Sequence, residues 1–155
     1  MRIAIWSIAK KTDPLLEAGI REYADRLSRY IPLQMELIAP ASPMADAQAA
    51  RKIEADRILQ RLKAKDCLVL LDERGYALST SEWAAWMAER QMENIARLIF
   101  VIGGAYGVDE SLKKHAHHVI ALSRLTFPHQ LVRLILTEQL YRVFTILHHQ
   151  PYHHE

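Results

Sequence analysis

The sequence lacks the features that would indicate a secreted or membrane protein. It has one cysteine among 155 residues, Cys67, so an intrachain disulfide is excluded and a reducing compartment is favoured. No run approaches the roughly 18 apolar residues of a membrane span. The opening MRIAIWSIAKKTD has neither the long apolar region nor the cleavage site of a signal peptide. We therefore expect a soluble cytoplasmic protein without a membrane partner.

The sequence also has little net charge. A formal net charge of +2 is too small to indicate nucleic-acid binding by itself. The distribution of charge is more informative, because all eight histidines lie at or after position 115. From position 113 onward two acids, Glu138 and Glu155, stand against five cationic side chains: Lys113, Lys114, Arg124, Arg133 and Arg142. We therefore expect an anionic partner to bind the C-terminal third of the chain.

The apolar residues alternate between the spacing of strands and the spacing of helices about five times. Strands are predicted at 2–8, 33–39, 66–72, 96–104 and 118–123. Helices are predicted from Asp13-Pro14 to about Pro32, at 45–64, at 79–94, from Asp109 or Glu110, and at 129–148. This order predicts one α/β domain spanning 1–155, with an open, mostly parallel sheet and helices on both faces.

Ligands of open α/β sheets bind beyond the carboxyl ends of the strands. Three such ends stand out: LLDERG at 70–75, VIGGAYG at 101–107 and LSRLTFP at 122–128. Three of the five glycines lie in the second segment. They suit either a close approach of a ligand to the backbone or simply a tight strand-to-helix turn. The dinucleotide fingerprint GxGxxG and the P-loop GxxxxGK[ST] are both absent, so a ligand would bind in another mode.

The chain ends in HHQPYHHE, residues 148–155, and this tail has three interpretations. A zinc site would need three or four preorganised ligands, but Pro151 separates the histidines and the cysteine lies far away in a strand. A solvated chain end is a second possibility. We favour the third, a terminal lid that carries Tyr152 and His153 over a neighbouring site, and expect no metal.

Three motifs occur in a distinctive order: IGGAYGVDE (102–110), LTFPHQLVR with its continuation TEQLYR (125–142), and the terminal HHQPYH. Together they resemble the small bacterial SPOUT-class family that methylates N3 of a pseudouridine in large-subunit (23S) ribosomal RNA. The resemblance covers essentially the whole chain. It implies a deep C-terminal trefoil knot, S-adenosylmethionine as cofactor, the assembled ribosome as substrate, and a homodimer whose site is completed near the partner subunit.

The resemblance also implies roles for individual residues. The cofactor would be held by Leu71, Asp72, Gly103, Gly104, Ser123, Arg124, Leu125, Thr126, Phe127 and Pro128, with Leu125 and Phe127 flanking the adenine. Candidates for removing the N3 proton are His129, Glu138 and His153, with water as the alternative. Expected RNA contacts are Arg133, Arg142, Tyr152 and His154, with Lys113 and Lys114 as further phosphate contacts.

One position departs from the family pattern, because the family tail commonly has Arg or Lys where this chain has His154. A histidine carries a full positive charge only when it is protonated. Two alternatives to a methyltransferase remain: a ribosome-binding protein that kept the fold without catalysis, and a metal-dependent hydrolase that uses the histidines.

Overall fold

The structure is a computed structural model that describes residues 1–154. Strands and helices alternate throughout this part of the chain: β1 (Arg2–Ile8), α1 (Pro14–Leu27), β2 (Leu33–Ile38), α2 (Ala47–Leu59), β3 (Asp66–Ala77), α3 (Thr80–Met92), β4 (Arg97–Ile102), α4 (Glu110–His115), β5 (His118–Ala121) and α5 (His129–Leu147). The predicted alternation is confirmed. Among these helices none is long and apolar enough to cross a bilayer.

The strands form one parallel sheet in the order β2-β1-β4-β3-β5. β3 extends beyond its predicted end at 72, because its pairing with β5 resumes after an irregularity between Leu71 and Tyr76. Residues 72–75, between the two paired stretches, have no register partner on β4 or β5. Gly75 permits the return, since a Cβ at this position would lie only 2.6 Å from the carbonyl oxygen of Val119.

Hydrophobic cores cover both faces of the sheet, as a continuously apolar set of parallel strands requires. On one face Ile5 and Phe100 pack with side chains of α1, α3 and α5. On the other face Trp6 and Val101 pack with α2 and α4. Cys67 belongs to the first core, where burial raises the pKa of its thiol to about 11. The cysteine therefore behaves as a buried apolar group.

The start of α5 is tied to the loop that follows β1. The Gln130 side-chain amide donates to the Lys11 carbonyl oxygen at 2.8 Å, and the Arg133 guanidinium donates to the Thr12 hydroxyl at 2.9 Å. The helix then packs along α1 and α3. These contacts fix its first turn beside the carboxyl ends of the strands.

Candidate functional site

A cavity of about 770 Å³ opens beyond the carboxyl ends of β3 and β4. The three segments selected from the sequence converge on it: the irregular part of β3, the glycine loop 103–107, and the segment 122–129 that leads into α5. Eight of the ten predicted cofactor residues line it, namely Leu71, Asp72, Gly103, Gly104, Ser123, Leu125, Thr126 and Phe127. Arg124 and Pro128 belong to the same segment without lining the cavity.

The glycine loop is a tight turn closed by its own backbone. The Gly107 N–H donates to the Gly104 carbonyl oxygen at 3.1 Å, and the two residues form an isolated antiparallel bridge. Gly107 has a φ of 77°, a conformation that glycine adopts without strain. At Gly103 a Cβ would lie 2.7 Å from a methyl group of Val108. The loop is therefore closely packed against the residues that follow it.

A buried carboxylate from α2 lies directly against the glycine loop. Glu54 on α2 is only 8% exposed, and its Oε1 accepts a hydrogen bond from the Ala41 N–H at 3.0 Å. A Cβ at Gly104 would lie 2.9 Å from Glu54 Oε2 and 3.1 Å from a methyl group of Ile8. The absence of a side chain at Gly104 thus lets the glycine loop lie directly on the Glu54 carboxylate.

The segment 122–129 combines polar turns with an apolar wall. The Ser123 hydroxyl accepts from the Leu125 N–H at 3.0 Å, and the Thr126 hydroxyl donates to a Glu73 carboxylate oxygen at 2.8 Å. Leu125 is 68% exposed, whereas Phe127 is half-buried. The second hydrogen bond joins this segment to the irregular part of β3, so two walls of the cavity are connected directly.

Charged side chains of both signs surround the cavity. The Lys113 ammonium lies 3.6 Å from Asp72 and 3.3 Å from Glu110. Asp109 caps α4, and hydrogen bonds from the Ser111 side chain and backbone lower the pKa of its carboxyl. Arg51 comes from α2, and within residues 1–154 no carboxylate lies within 4.0 Å of its guanidinium.

A second group of polar side chains, which we call the C-terminal cluster, consists of Tyr23, Glu138, Arg142 and Tyr152. The Glu138 carboxylate accepts from Arg142 Nε at 3.0 Å and from the Tyr152 hydroxyl at 3.1 Å. The Arg142 guanidinium lies 4.7 Å from the centre of the Tyr152 ring. The Glu138 hydrogen bond raises the pKa of Arg142, and burial raises the pKa of Tyr152. None of the four lines the cavity.

Comparison with known proteins decides the family. The protein-family model described as "Predicted SPOUT methyltransferase" matches residues 1–153 of the chain. The chain belongs to the SPOUT methyltransferase family. It is therefore an enzyme of the methyltransferase class, and it has the knotted α/β fold of that family, which the resemblance implied.

Several curated relatives match over their full length. The chain is 44% identical to Ribosomal RNA large subunit methyltransferase H of Geobacter metallireducens over 154 residues, which cover 99% of each chain. It is 42% identical to the protein of the same name from Geotalea uraniireducens, with 99% of this chain and all of the relative covered. The Porphyromonas gingivalis protein of that name is 38% identical, with both chains covered completely.

The cavity of this SPOUT chain suits a cofactor with an aromatic base and a charged amino-acid part. Ile102, Leu122, Phe127 and Val132 offer apolar lining, whereas the neighbouring Asp72 and Lys113 provide charge of both signs. Most of the lining comes from three segments that are separate in the sequence. The residues present therefore fit S-adenosylmethionine, the cofactor that the family resemblance implies.

The residues predicted for catalysis and RNA contact are divided between two regions. His129 lines the cavity, whereas Glu138, Arg142 and Tyr152 lie in the C-terminal cluster. His154 is exposed on the tail. His153 has a buried Nδ1 without a hydrogen-bond partner within residues 1–154.

Arg133 requires a correction. We predicted a phosphate contact, but the side chain is 5% exposed and donates to Thr12 between α5 and the β1–α1 loop. Burial lowers the pKa of its guanidinium. We therefore revise its role from RNA contact to a structural tie at the start of α5.

The tail histidines do not converge. His148 packs its ring against Tyr30, with centroids 4.9 Å apart. In the part of the chain that the structure describes, no three His, Cys, Asp or Glu side chains are arranged to hold a metal ion.

The structure also adds site residues that the sequence did not indicate, namely Gln48, Arg51 and Tyr106. Residues 45–64 carry no ligand-binding pattern, and only the position of Tyr106 between two glycines could have indicated its place at a ligand site.

Proposed function

We propose that this chain transfers a methyl group from S-adenosylmethionine to N3 of a pseudouridine in large-subunit (23S) ribosomal RNA, on the assembled ribosome. The observation that carries the proposal is the convergence of three strand-end segments on one cavity, with His129 at its edge. The printed names of the full-length relatives support the ribosomal substrate. The choice of pseudouridine N3 rests on the motif resemblance.

The cofactor would be bound mainly by loops. Leu71 and Asp72, the two glycines of the loop, and residues 123–128 would surround it, with Leu125 and Phe127 flanking the adenine. When bound, S-adenosylmethionine supplies an electrophilic methyl group. The chain's own contribution is to align the incoming nitrogen and to exclude water, and such positioning supplies a large part of the rate enhancement in two-substrate reactions.

The N3 proton of a uracil-like ring must be removed before or during the attack. His129 is the candidate within the cavity, because histidine exchanges protons near neutral pH and its side chain lines the space where the base would enter. Glu138 and His153 remain candidates only if a second chain brings them to this cavity. Arg142, Tyr152 and His154 would then contact the RNA beside it.

A homodimer would bring the two regions together. In a two-fold dimer the same surface of both chains forms the interface, so the cluster of one chain can face the cavity of the other. Between α1 and α5 lies a groove of about 420 Å³ lined by Glu22, Asp25, Arg26, Arg29, Tyr30 and Tyr141. Charges of both signs beside two aromatic rings suit such a self-complementary contact.

The test is methyl transfer from labelled S-adenosylmethionine to assembled ribosomes, beside matched ribosomes that lack pseudouridine. We expect incorporation only where pseudouridine is present, at N3 of the mapped base. Cofactor-induced thermal stabilisation is measured in parallel. Cofactor binding without incorporation into either ribosome would refute the proposed substrate, and a chain that also fails to bind the cofactor would refute the proposed cavity.

A further inference from the structure

The mouth of the cavity carries an exposed aromatic side chain that the fold does not use. Tyr106 lines the cavity and is 58% exposed. The chain has six tyrosines. Within residues 1–154 the other five have a ring or hydroxyl partner: Tyr23, Tyr30, Tyr76, Tyr141 and Tyr152. The ring and hydroxyl of Tyr106 have none in this part of the chain, so folding does not account for it.

The loop nevertheless holds Tyr106 in place. It lies between Gly104 and Gly107, whose backbones pair across the turn. The Arg51 guanidinium reaches the Tyr106 carbonyl oxygen at 3.5 Å, at the outer limit of a hydrogen bond. The aromatic ring is thus presented on a short, closed turn with a cation beside it. The backbone that carries the ring is therefore already ordered before a flat ligand binds.

We propose that Tyr106 is a stacking platform for an unpaired base of the RNA substrate, next to the methylated nucleotide, and that Arg51 contacts the adjoining phosphate. Proteins that bind single-stranded RNA stack its bases on exposed aromatic rings, beside cations that track the backbone. The apolar wall of Leu122 and Phe127 is the alternative place for a flat ring. That wall lies on the segment proposed for the cofactor adenine, which leaves Tyr106 for the substrate.

This inference rests on the proposed function, and its test separates the two. The Michaelis constant for ribosomes and the dissociation constant for S-adenosylmethionine are measured for the native chain and for Tyr106→Ala. Tyr106→Trp keeps a stacking ring. Met92→Ala is the matched control, because Met92 is 89% exposed at the end of α3, which leads into the amino end of β4, away from the carboxyl ends that form the cavity. Native activity on ribosomes establishes the proposed function before any variant is compared.

We expect Tyr106→Ala to raise the Michaelis constant for ribosomes about tenfold or more, the size expected for one lost stacking contact. Tyr106→Trp should restore most of this loss, and cofactor affinity should be unchanged. An unchanged Michaelis constant in Tyr106→Ala would overturn the inference. Weaker cofactor binding in the same variant would also overturn it, because Tyr106 would then belong to the cofactor site.

A second readout does not depend on turnover. The native tryptophans, Trp6, Trp83 and Trp86, are all buried, so a tryptophan at position 106 would be the one exposed to quenchers. In Tyr106→Trp, a base stacked on the indole should shield it from acrylamide when ribosomes bind. Quenching that stays the same with and without ribosomes would contradict the proposed contact.

Discussion

The cavity and the C-terminal cluster are built from the same helix in different ways. The first turn of α5 contributes His129 to a cavity that is otherwise formed by loops and backbone. The later turns contribute Glu138 and Arg142 to a network of side-chain hydrogen bonds with tyrosine rings. Glu138 lies nine positions after His129 on the helix, or about 13.5 Å along the axis. One region is suited to holding a cofactor, and the other to contacting charged groups.

This difference is the physical basis of the proposed homodimer. The cavity is lined by His129, the candidate for proton transfer, while the cluster holds the Glu138 carboxylate and the Arg142 cation, which are hydrogen-bonded to each other. Both regions lie on α5, which packs along α1 and α3, so the helix holds its two ends apart. Complementary parts that are fixed apart within one chain are combined most simply across a two-fold axis.

The largest effect is expected at the cluster. Arg142→Ala removes the charge-assisted hydrogen bonds to Glu138 and should lower kcat/KM on ribosomes about 100-fold. Cofactor affinity should be unchanged, because Arg142 does not line the cavity. The matched control is Arg21→Ala, which breaks an exposed ion pair with Glu17 on α1. Equal losses of kcat/KM in Arg142→Ala and Arg21→Ala would show that the C-terminal cluster has no role in the reaction.

The next effect is expected at the cavity. Gly104→Ala places a methyl group against the Glu54 carboxylate and should weaken S-adenosylmethionine binding about tenfold, since the loop must shift. Isothermal titration measures this directly. Gly19→Ala is the control, because its new methyl group meets only the flexible end of Leu134, at 3.0 Å. If the cofactor binds Gly104→Ala as tightly as the native chain, the glycine loop is not part of its site.

A smaller effect, on the stability of the fold, is expected in acid. It arises at His118, which belongs to neither the cavity nor the C-terminal cluster. Burial, and secondarily the charge of Arg90, lower the pKa of His118, whose ring also contacts Tyr76 and Trp86. The unfolded chain therefore binds this proton more readily than the folded one, so stability is fully present above about pH 6.5 and falls as the pH drops below it.

Melting temperatures between about pH 5.5 and pH 7.5 test this expectation. His118→Gln should lose less stability in acid than the native chain, whereas His115→Gln, which changes an exposed side chain, should lose as much. An identical acid dependence in His118→Gln would refute the account. The comparison separates the effect of pH on the fold from its effect on catalysis.

The smallest effect is expected at the tail. His154→Arg restores the cation that the family commonly has, so ribosome affinity should depend less on pH between about pH 6 and pH 8 than in the native chain. The native chain should lose affinity at the higher pH, because a neutral imidazole no longer attracts phosphate. Equal pH dependence in both chains would show that His154 does not contact the RNA.

Much of the fold could be predicted from the sequence, because apolar spacing records which faces are buried. The continuously apolar CLVLL at 67–71 is typical of a strand covered on both faces. Ser79 with Glu82 three residues later is typical of a helix start, and the structure shows it as a capping box. The extension of β3 through residues 76 and 77 could not be predicted. ERGY has the composition of a turn, and only the pairing of Tyr76 with Ile120 returns it to the sheet.

The site could be predicted only in part, for the same physical reason. The glycines and the LTFP segment lie at strand ends, where local sequence indicates a ligand site. From α2, Arg51 reaches the cavity and Glu54 reaches the glycine loop, and no local pattern distinguishes them from the helix formers around them. At Arg133 the sequence was misleading in the other direction. The charge suggested a surface position, but the side chain is buried and donates a hydrogen bond to Thr12.

Mixing two inactive chains tests most directly whether the cavity of one subunit works with the cluster of the other. One chain carries His129→Ala with Gly104→Ala, the other carries Arg142→Ala, and differently tagged mixed dimers are purified to show that they form. Random mixing should restore about one quarter of native activity, since half of the dimers are mixed and each has one intact site. If mixed dimers form and remain inactive, each site is contained within one chain and the account is wrong.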